Sequence, residues 1–407
     1  GISFTQYEAI RDIPGVEIAA PIAVLAYMPM EFDNTTLSTP TTTGVYALET
    51  TLSVDRGAII WNRNDQLFVF NGPVPLLAKD QRIAGLFVNP SRMVIGHQLV
   101  PVMLAAIDPE QEADLVHLDQ AIVNGNYLTS GQALFIRTTE NPFGGSIIQV
   151  LDVPILLNQT PYVDFTSTIR VEQLDLPDDA MELETIIERG GTKYLKTLPG
   201  KAVIAEHILI SSEAYAWMIE SLKLSDQNNV VQFRSLNEYR RPNPRHYEFI
   251  DPTFEYPGLV LAMQPPGPWM GDTGENQKVT FSIKPVGVYD IARIPLPADV
   301  NRVPMETYFP PIATLKFDVD GQPMQPALIL PTLWPEYSVP SPPLMLTTLE
   351  AARVIAGEDC ISAIRVRIGG IESLSKEAQQ KIEAIATEIR RRTGLDVAQP
   401  AAARQLA

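Results

Sequence analysis

The sequence predicts an α+β fold in which both ends of the chain form one small α/β base and the residues between them form a larger, β-rich insertion. Three observations predict it. Residues 360–397 read as strand, helix and the start of another strand, residues 5–27 read as helix and strand, and most of the remainder reads as short β-rich runs separated by turns and prolines. Because a helix with one apolar stripe and a strand with one apolar face need a partner layer, we expect the two ends to pack together.

The clearest pattern lies in the C-terminal segment. Residues 363–368 (AIRVRI) alternate apolar and charged side chains, which predicts a half-buried strand with Arg365 and Arg367 on a solvent-exposed face. Ser375 is placed to cap the helix that follows, and Gly394 is its expected end. The apolar positions between them form one stripe, since they are spaced by one, three and four residues. These positions are Ala378, Ile382, Ile385, Ala386 and Ile389.

The N-terminal segment supplies the predicted partner for this unit. Thr5 and Glu8 match a capping box, so we expect a short helix to begin there and to end at Pro14 and Gly15. Residues 16–27 (VEIAAPIAVLAY) form an apolar run with strong β propensity, which predicts a buried strand.

Residues 31–128 add hairpins, a strand and a helix to the base. Short β-rich runs divided by polar turns predict hairpins in residues 31–100, and residues 100–107 (VPVMLAAI) predict a buried strand. Asp108-Pro109-Glu110 is a typical helix start, and we expect the helix to end at Asn124-Gly125-Asn126.

Residues 129–342 are predicted to form the insertion, mostly strand and loop. Prolines are frequent in the chain, 35 in all, which favours loops and edge strands over long helices. Asp320-Gly321 predicts a hairpin turn. The predicted domains are therefore a base of residues 1–128 with 343–398, which includes the hairpins of 31–100, an inserted subdomain of 129–342, and a tail of 399–407.

Composition excludes several classes of protein. The 407 residues are enough for two or three domains, and the net charge of −17 argues against nucleic acid, whose phosphates require a basic face. The single cysteine, Cys360, excludes an intramolecular disulfide and a thiolate metal cluster. No run approaches the ~18 apolar residues of a membrane span. The chain starts without Met and ends in a low-complexity run, so we expect it to be a segment of a longer protein.

Local motifs of catalysis and cofactor binding are missing from the sequence. The four histidines, at positions 97, 117, 207 and 246, lack the spacing of paired metal ligands. Neither a nucleophile elbow nor a phosphate-binding glycine loop occurs. Ser373 and Lys376 match S-x-x-K, but a helix cap explains these residues better. We therefore predict no catalytic residue, no metal site and no cofactor.

Two charged segments are candidates for binding a partner. The acidic run at 172–188 is predicted to be a solvated face, and the alternative is a site for a cation or a basic partner. A basic cluster in this acidic protein is the predicted partner-binding site, for an acidic partner or a lipid headgroup. It consists of Arg240, Arg241, Arg245 and His246.

Four segments, in the same order along the chain, resemble the extracytoplasmic domain of FtsX-like, MacB-type ABC transporter permeases. They are residues 10–27 (IRDIPGVEIAAPIAVLAY), 102–128 (VMLAAIDPEQEADLVHLDQAIVNGNYL), 281–291 (FSIKPVGVYDI) and 344–355 (LMLTTLEAARVI) with the strand and helix that follow. The long, proline-rich middle departs from the family's compact version.

The resemblance implies a non-enzymatic domain on the extracytoplasmic side of the cell membrane, between the first two membrane helices of a permease. Its base would be porter-like, and its tail would lead to a membrane helix. Its partners would be its own transmembrane helices, a cytoplasmic ATPase, a second permease copy and a cell-envelope protein or peptide. Its role would be to couple ATP hydrolysis to export, lipoprotein release or regulation of a cell-envelope partner.

Two other classes remain open from the sequence. A secreted or lipid-anchored protein that binds a peptide or a glycan would have a cleavable signal and no second membrane span. A hydrolase with a dispersed site would bring polar residues with perturbed pKa values together in one cleft.

Overall fold

The computed structural model describes most of the chain. The described residues are 1–31, 36–38, 40, 42–55, 57, 60–73, 85–89, 92–94, 99–131, 134–140, 147–160, 162–224, 230–235, 260–264, 280–294, 307–309, 313–318, 320–331, 339, 341–371 and 375–398. They contain both helices and mixed sheets, so the predicted α+β class is confirmed.

The described residues form seven α-helices and nineteen strands. The helices are α1 (Phe4–Arg11), α2 (Pro109–Val116), α3 (Leu183–Glu188), α4 (Thr192–Leu195), α5 (Ser211–Leu224), α6 (Leu349–Ala356) and α7 (Lys376–Thr393). The strands are β1 (Val16–Glu31), β2 (Thr36–Ser38), β3 (Gly44–Asp55), β4 (Ile60–Asn71), β5 (Leu86–Val88), β6 (Arg92–Val94), β7 (Leu99–Ile107), β8 (Ile122–Gly125), β9 (Phe135–Glu140), β10 (Ile147–Asn158), β11 (Phe165–Leu174), β12 (Gly200–Ile210), β13 (Val230–Ser235), β14 (Val260–Gln264), β15 (Thr280–Tyr289), β16 (Ala313–Phe317), β17 (Pro323–Ile329), β18 (Met345–Thr348) and β19 (Ala363–Ile368).

The ends of α7 are those that the sequence predicts. The side chain of Ser375 accepts a hydrogen bond from the backbone N–H of Ala378 (3.1 Å), which satisfies one donor of the first turn. Gly394 follows the last turn with φ of 72°, a left-handed conformation that glycine adopts without strain.

Two other helix ends differ from the prediction. The capping box of α1 is formed by Ser3 and Gln6 and not by Thr5 and Glu8, because the Ser-x-x-Gln pattern makes the same two reciprocal bonds and adds Phe4 to the helix. Helix α2 ends at Val116, well before the predicted stop at 124–126. His117 takes a left-handed conformation there, and residues 122–125 continue as β8.

The main sheet has ten strands and closes on itself. Its order is β8-β15-β13-β14-β1-β7-β18-β10-β9, with β19 added to β1. Strand β10 also pairs in parallel with β15, from Leu151↔Phe281 to Asn158↔Tyr289. The strands β15, β13, β14, β1, β7, β18 and β10 therefore form a ring. The main core contains apolar residues of β1, β7, β10, β15 and β18 together with residues of α1, α5, α6 and α7.

The two ends of the chain lie side by side on this sheet, as expected. Strand β19 pairs antiparallel with the first half of β1, from Val16↔Ile368 to Ile22↔Ala363. Ile2 forms an isolated bridge with Ile361. The side-chain N–H of Gln6 donates to the backbone carbonyl of Thr393 (2.9 Å), which joins the first helix to the last.

A second sheet has the order β12-β11-β3-β4-β5. Helices α3 and α4 cover one end of it, where buried residues of the sheet such as Phe68 and Phe70 meet Leu183 and Ile186. At the other end, Leu52 and Phe165 join the main core through α5. Elsewhere the sheet also carries exposed large apolar side chains, among them Ile60, Ile204 and Ile208.

Both sheets take strands from both sides of the predicted domain boundary at residue 128. In the main sheet, β7 of the predicted base and β10 of the predicted insertion flank β18. In the second sheet, β3 pairs with β11 from Val54↔Phe165 to Tyr46↔Gln173. The hairpin β3–β4 has an apolar face that two strands cannot bury alone, and strand periodicity does not encode which distant strands cover it.

Two small antiparallel pairs complete the described structure, β2–β6 and the hairpin β16–β17. The predicted turn at Asp320-Gly321 connects β16 to β17, and the side chain of Asp318 accepts hydrogen bonds from the backbone N–H groups of Asp320 and Gln322. None of the described helices combines the length and the apolar character needed to cross a membrane.

Candidate functional site

The carboxylate of Glu112 is fully buried on α2 and lies at the centre of a hydrogen-bonded network in the described core. Arg365 of β19 forms a bidentate ion pair with it: Nη2 lies 2.5 Å from Oε2, and Nη1 lies 2.9 Å from Oε1. Only 13% of the Arg365 side chain is exposed. The pair joins two elements that lie far apart in the sequence but adjacent in the fold.

A third segment, residues 307–309, completes this network. The hydroxyl of Tyr308, which is fully buried, donates to Oε1 of Glu112 (2.5 Å), and Arg365 Nη1 donates to the hydroxyl of Thr307 (3.3 Å). The ring of Tyr308 also packs edge-on against Tyr289 of β15, with ring centres 6.4 Å apart. We call Glu112, Arg365 and Tyr308 the buried clasp.

Helix α2 holds Glu112 in place through its own N-terminus. Asp108 caps the helix by accepting from the N–H groups of Glu110 and Gln111. The same carboxylate accepts from the hydroxyl of Tyr7 on α1 (2.9 Å), and the side-chain oxygen of Gln111 accepts from the N–H of Ala19 on β1 (2.9 Å). Asp108 and Gln111 together therefore fix the first turn of α2 against both the first helix and the first strand.

The electrostatics of the clasp favour one charge state near neutral pH. Burial, the largest single effect, lowers the pKa of Arg365, but the charge and hydrogen bonds of Glu112 and Tyr308 together outweigh it. The pKa is therefore raised and the guanidinium stays charged. Burial, and then the charge of Glu112, raise the pKa of Tyr308 well above its ordinary value, so the phenol stays protonated and donates its hydrogen bond.

The geometry suits a structural connection and not acid–base chemistry. Both oxygens of Glu112 accept hydrogen bonds from charged or phenolic donors. A carboxylate in such a network is stabilised as an acceptor and has no oxygen facing a substrate. Burying the two charges would be unfavourable without this pairing, so each partner depends on the others.

The sequence prediction for Arg365 was wrong, since its face of β19 is covered at this position by α2 and residues 307–309. Alternation indicates that Arg365 and Arg367 share a face, but not that a distant helix covers one of them. The sequence contains one indication that a buried ion pair forms. Glu112 lies three residues after Pro109 and four before Val116, in the buried stripe of α2, where a carboxylate requires a partner.

The predicted partner-binding cluster of Arg240, Arg241, Arg245 and His246 lies outside the described residues. The acidic run remains a solvated surface where it is described: Asp179 is largely exposed and pairs with Arg189 at 2.6 Å.

Histidines and the other candidate motifs have structural roles where they are described. His117 ends α2, His207 lies in β12, and Ser375 caps α7. Throughout the described part of the chain, no group of three or more His, Cys, Asp and Glu side chains is placed to hold a metal ion. Burial raises the pKa of the Cys360 thiol to about 11, so little of it is thiolate at neutral pH.

Comparison with known proteins gives no match: no family model, no curated protein and no solved structure is significantly similar to this chain. The fold class therefore rests on the structure, and the resemblance to permeases rests on the four segments quoted above.

Proposed function

We propose that this chain is the extracytoplasmic domain of an FtsX-like, MacB-type ABC transporter permease. In this role it couples ATP hydrolysis by a cytoplasmic partner to export, lipoprotein release or regulation of a cell-envelope partner, and it catalyses no reaction itself. The observation that supports the proposal best is the position of the chain ends, since Ile2 pairs with Ile361 and Gln6 bonds to Thr393.

This arrangement is what an extracytoplasmic loop requires. A domain between two neighbouring membrane helices leaves the membrane and returns to it at nearby points. Here β1 and β19 are paired strands, and α1 packs against α7, so a displacement of either end reaches the main sheet through paired backbone and packed helices. Packed elements of this kind can transmit motion between two discrete arrangements.

The four segments that resemble the family also come together in space. They contain β1, β7, β15 and β18, with helices α2 and α6, and these four strands all belong to the main sheet. Segments scattered along the chain would not be expected to share one sheet if each resemblance were accidental. The second sheet, which lies outside the resembling segments, would then be the part specific to this protein.

The first test is the coding sequence on either side of residues 1–407. A run of ~20 apolar residues shortly before Gly1 and another shortly after Ala407 are expected. A cleavable signal before Gly1 with a stop codon soon after Ala407 would refute the permease role. The alternative of a secreted or lipid-anchored peptide- or glycan-binding protein would then be preferred.

The second test measures on which side of the membrane the domain lies. We expect Glu184→Cys, on the surface helix α3, to react with a membrane-impermeant maleimide in intact cells that make the full-length protein. The matched control is the unsubstituted protein, whose Cys360 is half-buried and has a raised thiol pKa, and should react slowly. Labelling of Glu184→Cys only after cell lysis would contradict the proposal.

A further inference from the structure

Strand β12 forms one edge of the second sheet, and β5 forms the other. An edge strand presents backbone N–H and C=O groups that another strand can pair with, and proteins commonly limit this by keeping such strands short or by placing proline in them. Strand β5 has only three residues. Strand β12 has eleven residues and contains no proline. Of the two edges, β12 is therefore the one that can accept a further strand.

Strand β12 also carries large apolar side chains that are accessible to solvent. Val203, Ile204, Ile208 and Ile210 are each between 45% and 55% exposed. Among the described residues, no other strand has as many exposed large apolar side chains. Single exposed apolar residues are ordinary, but a group of them on one element is typical of a surface that contacts another molecule. The exposed side chains and the open edge therefore occur on the same strand.

The regular part of this edge is residues 205–210. These residues pair with β11 without a register shift, whereas the pairing of residues 200–205 contains two shifts. In the regular part, Glu206, Ile208 and Ile210 are exposed, and the residues between them are partly or fully buried. A strand added along this edge would therefore place every second side chain beside one of these three residues.

The charges beside this edge favour a cation on the added strand. Arg170 of β11 lies opposite Glu206 on one side and opposite Glu49 of β3 on the other, and it pairs with Glu172 at 3.3 Å. This part of the sheet therefore has three carboxylates to one guanidinium. Lys201, at the start of β12, lies in the part with register shifts. Because opposite charges on neighbouring strands attract, a lysine or arginine placed beside Glu206 would be stabilised.

A second copy of this chain fits the edge less well than a cationic peptide does. Each copy has a net charge of −17, so two copies repel each other. If two β12 strands paired about a twofold axis, opposite residues would lie on the same face of the joined sheet. Within residues 205–210, Glu206 could then be opposite only itself, Ile208 or Ile210. Self-association would therefore supply no cation for Glu206.

We propose that the outer edge of β12 binds an extended cationic peptide by strand addition. The backbone of the peptide pairs with residues 205–210, its apolar side chains lie beside Ile208 and Ile210, and a lysine or arginine lies beside Glu206. Main-chain hydrogen bonds then supply affinity, and alternate side chains supply specificity. The inference goes beyond the proposed permease role and does not depend on it.

The test measures binding of a labelled synthetic peptide, TVTVTKTVTVT, to the whole chain of 407 residues by fluorescence anisotropy. This peptide reads the same in both directions, so it allows parallel or antiparallel pairing. The control peptide, TVTVTETVTVT, differs only in its central charge. We expect the lysine peptide to bind with a Kd below about 1 mM and the glutamate peptide to bind about three- to tenfold more weakly. The Glu206→Lys variant should lose or reverse this preference.

Glu49→Lys is the matched control variant. It makes the same charge change on the same face of the sheet, but two strands away from the edge, at ~10 Å. It should keep the preference for the lysine peptide. Ile208→Thr changes a side chain that is more than half exposed, and it should weaken binding of both peptides. The proposal is overturned if neither peptide binds, or if Glu49→Lys and Glu206→Lys change the preference equally.

Hydrogen exchange followed by mass spectrometry locates the bound peptide. The lysine peptide should slow exchange of the backbone amides of β12 and leave those of β5 unchanged, and protection confined to other elements would contradict strand addition at β12. Analytical ultracentrifugation tests the other occupant. A dimer that forms with rising concentration and is lost in Ile208→Thr would identify a second copy on this edge and overturn the proposal. Because these measurements use the isolated chain, their failure would leave the permease proposal intact.

Discussion

Two arginines on one face of β19 differ more than their sequence suggests. Arg365 is held by two short bonds to a fully buried carboxylate, whereas Arg367 makes one bond to Glu17, whose side chain is 50% exposed. The residue type, strand and face are the same. They differ because α2 and residues 307–309 cover Arg365 and exclude water from it. Exclusion of water strengthens a charge pair, and it also makes a buried charge unfavourable when its partner is removed.

The strongest test of this comparison is Arg365→Met. It leaves the Glu112 carboxylate buried without its counter-charge, and we expect a loss of about 3–5 kcal/mol in the free energy of unfolding. Urea denaturation followed by circular dichroism measures it. The double variant Glu112→Leu/Arg365→Met should recover part of the loss, since it removes both charges. If the costs of the two single substitutions simply add in the double variant, the residues are not coupled.

A smaller loss is expected for Tyr308→Phe. The substitution removes one donor to Glu112 while the two bonds from Arg365 remain, so the expected cost is about 1–3 kcal/mol. The same denaturation experiment measures it. In the Glu112→Leu background the hydroxyl has lost its acceptor, and Tyr308→Phe should then cost nothing or even stabilise the protein. An equal cost in both backgrounds would mean that the hydroxyl acts elsewhere.

Arg367→Met should change stability little, by about 0–1 kcal/mol, as expected for an ion pair that remains accessible to solvent. Raising the salt concentration should reduce this small effect further, because exposed charges are screened. A loss as large as that of Arg365→Met would remove the contrast between the two positions.

The smallest effect concerns a third pair, at the surface of α7, and it depends on pH. Hydrogen bonds from Arg391 and Arg392 lower the pKa of Glu388 from 4.5 to about 2. Because the folded-state pKa is below the unfolded value, the pair stabilises the protein above pH 4.5, and this contribution is lost as the pH falls towards 2. The difference in urea midpoint between wild type and Glu388→Gln should therefore shrink over that range. A difference that is constant with pH would rule out this assignment.

Local features of the fold were predictable because they depend on neighbouring residues. Ser375 and Gly394 mark the ends of α7, and the alternation in residues 363–368 marks β19, since caps and alternation are properties of short segments. The prediction for α1 was wrong by two residues, as two overlapping capping patterns compete at Ser3 and Thr5.

The pairing of distant elements was not predictable. The apolar residues of β3 indicate a buried strand, but they do not identify β11 as its partner. Likewise, Arg365 and Glu112 are 253 residues apart, so no window of sequence contains both. A glutamate in the buried stripe of α2 indicates that a cation is needed, but not which of the chain's lysines and arginines supplies it. Of the candidate site, the sequence therefore predicts the buried glutamate and its need for a cation, but not the identity of Arg365 as that cation.

The closed ring of the main sheet has a consequence for biosynthesis. Strand β18 lies between β7 and β10, yet it is synthesised after both. Until residue 348 has left the ribosome, the apolar strands β7 and β10 therefore lack the neighbour that covers their edges. Unpaired edges of this kind promote association with other chains. We therefore expect a chain truncated before Met345 to aggregate. We also expect the yield of soluble full-length protein to depend on chaperones that protect the strands during synthesis.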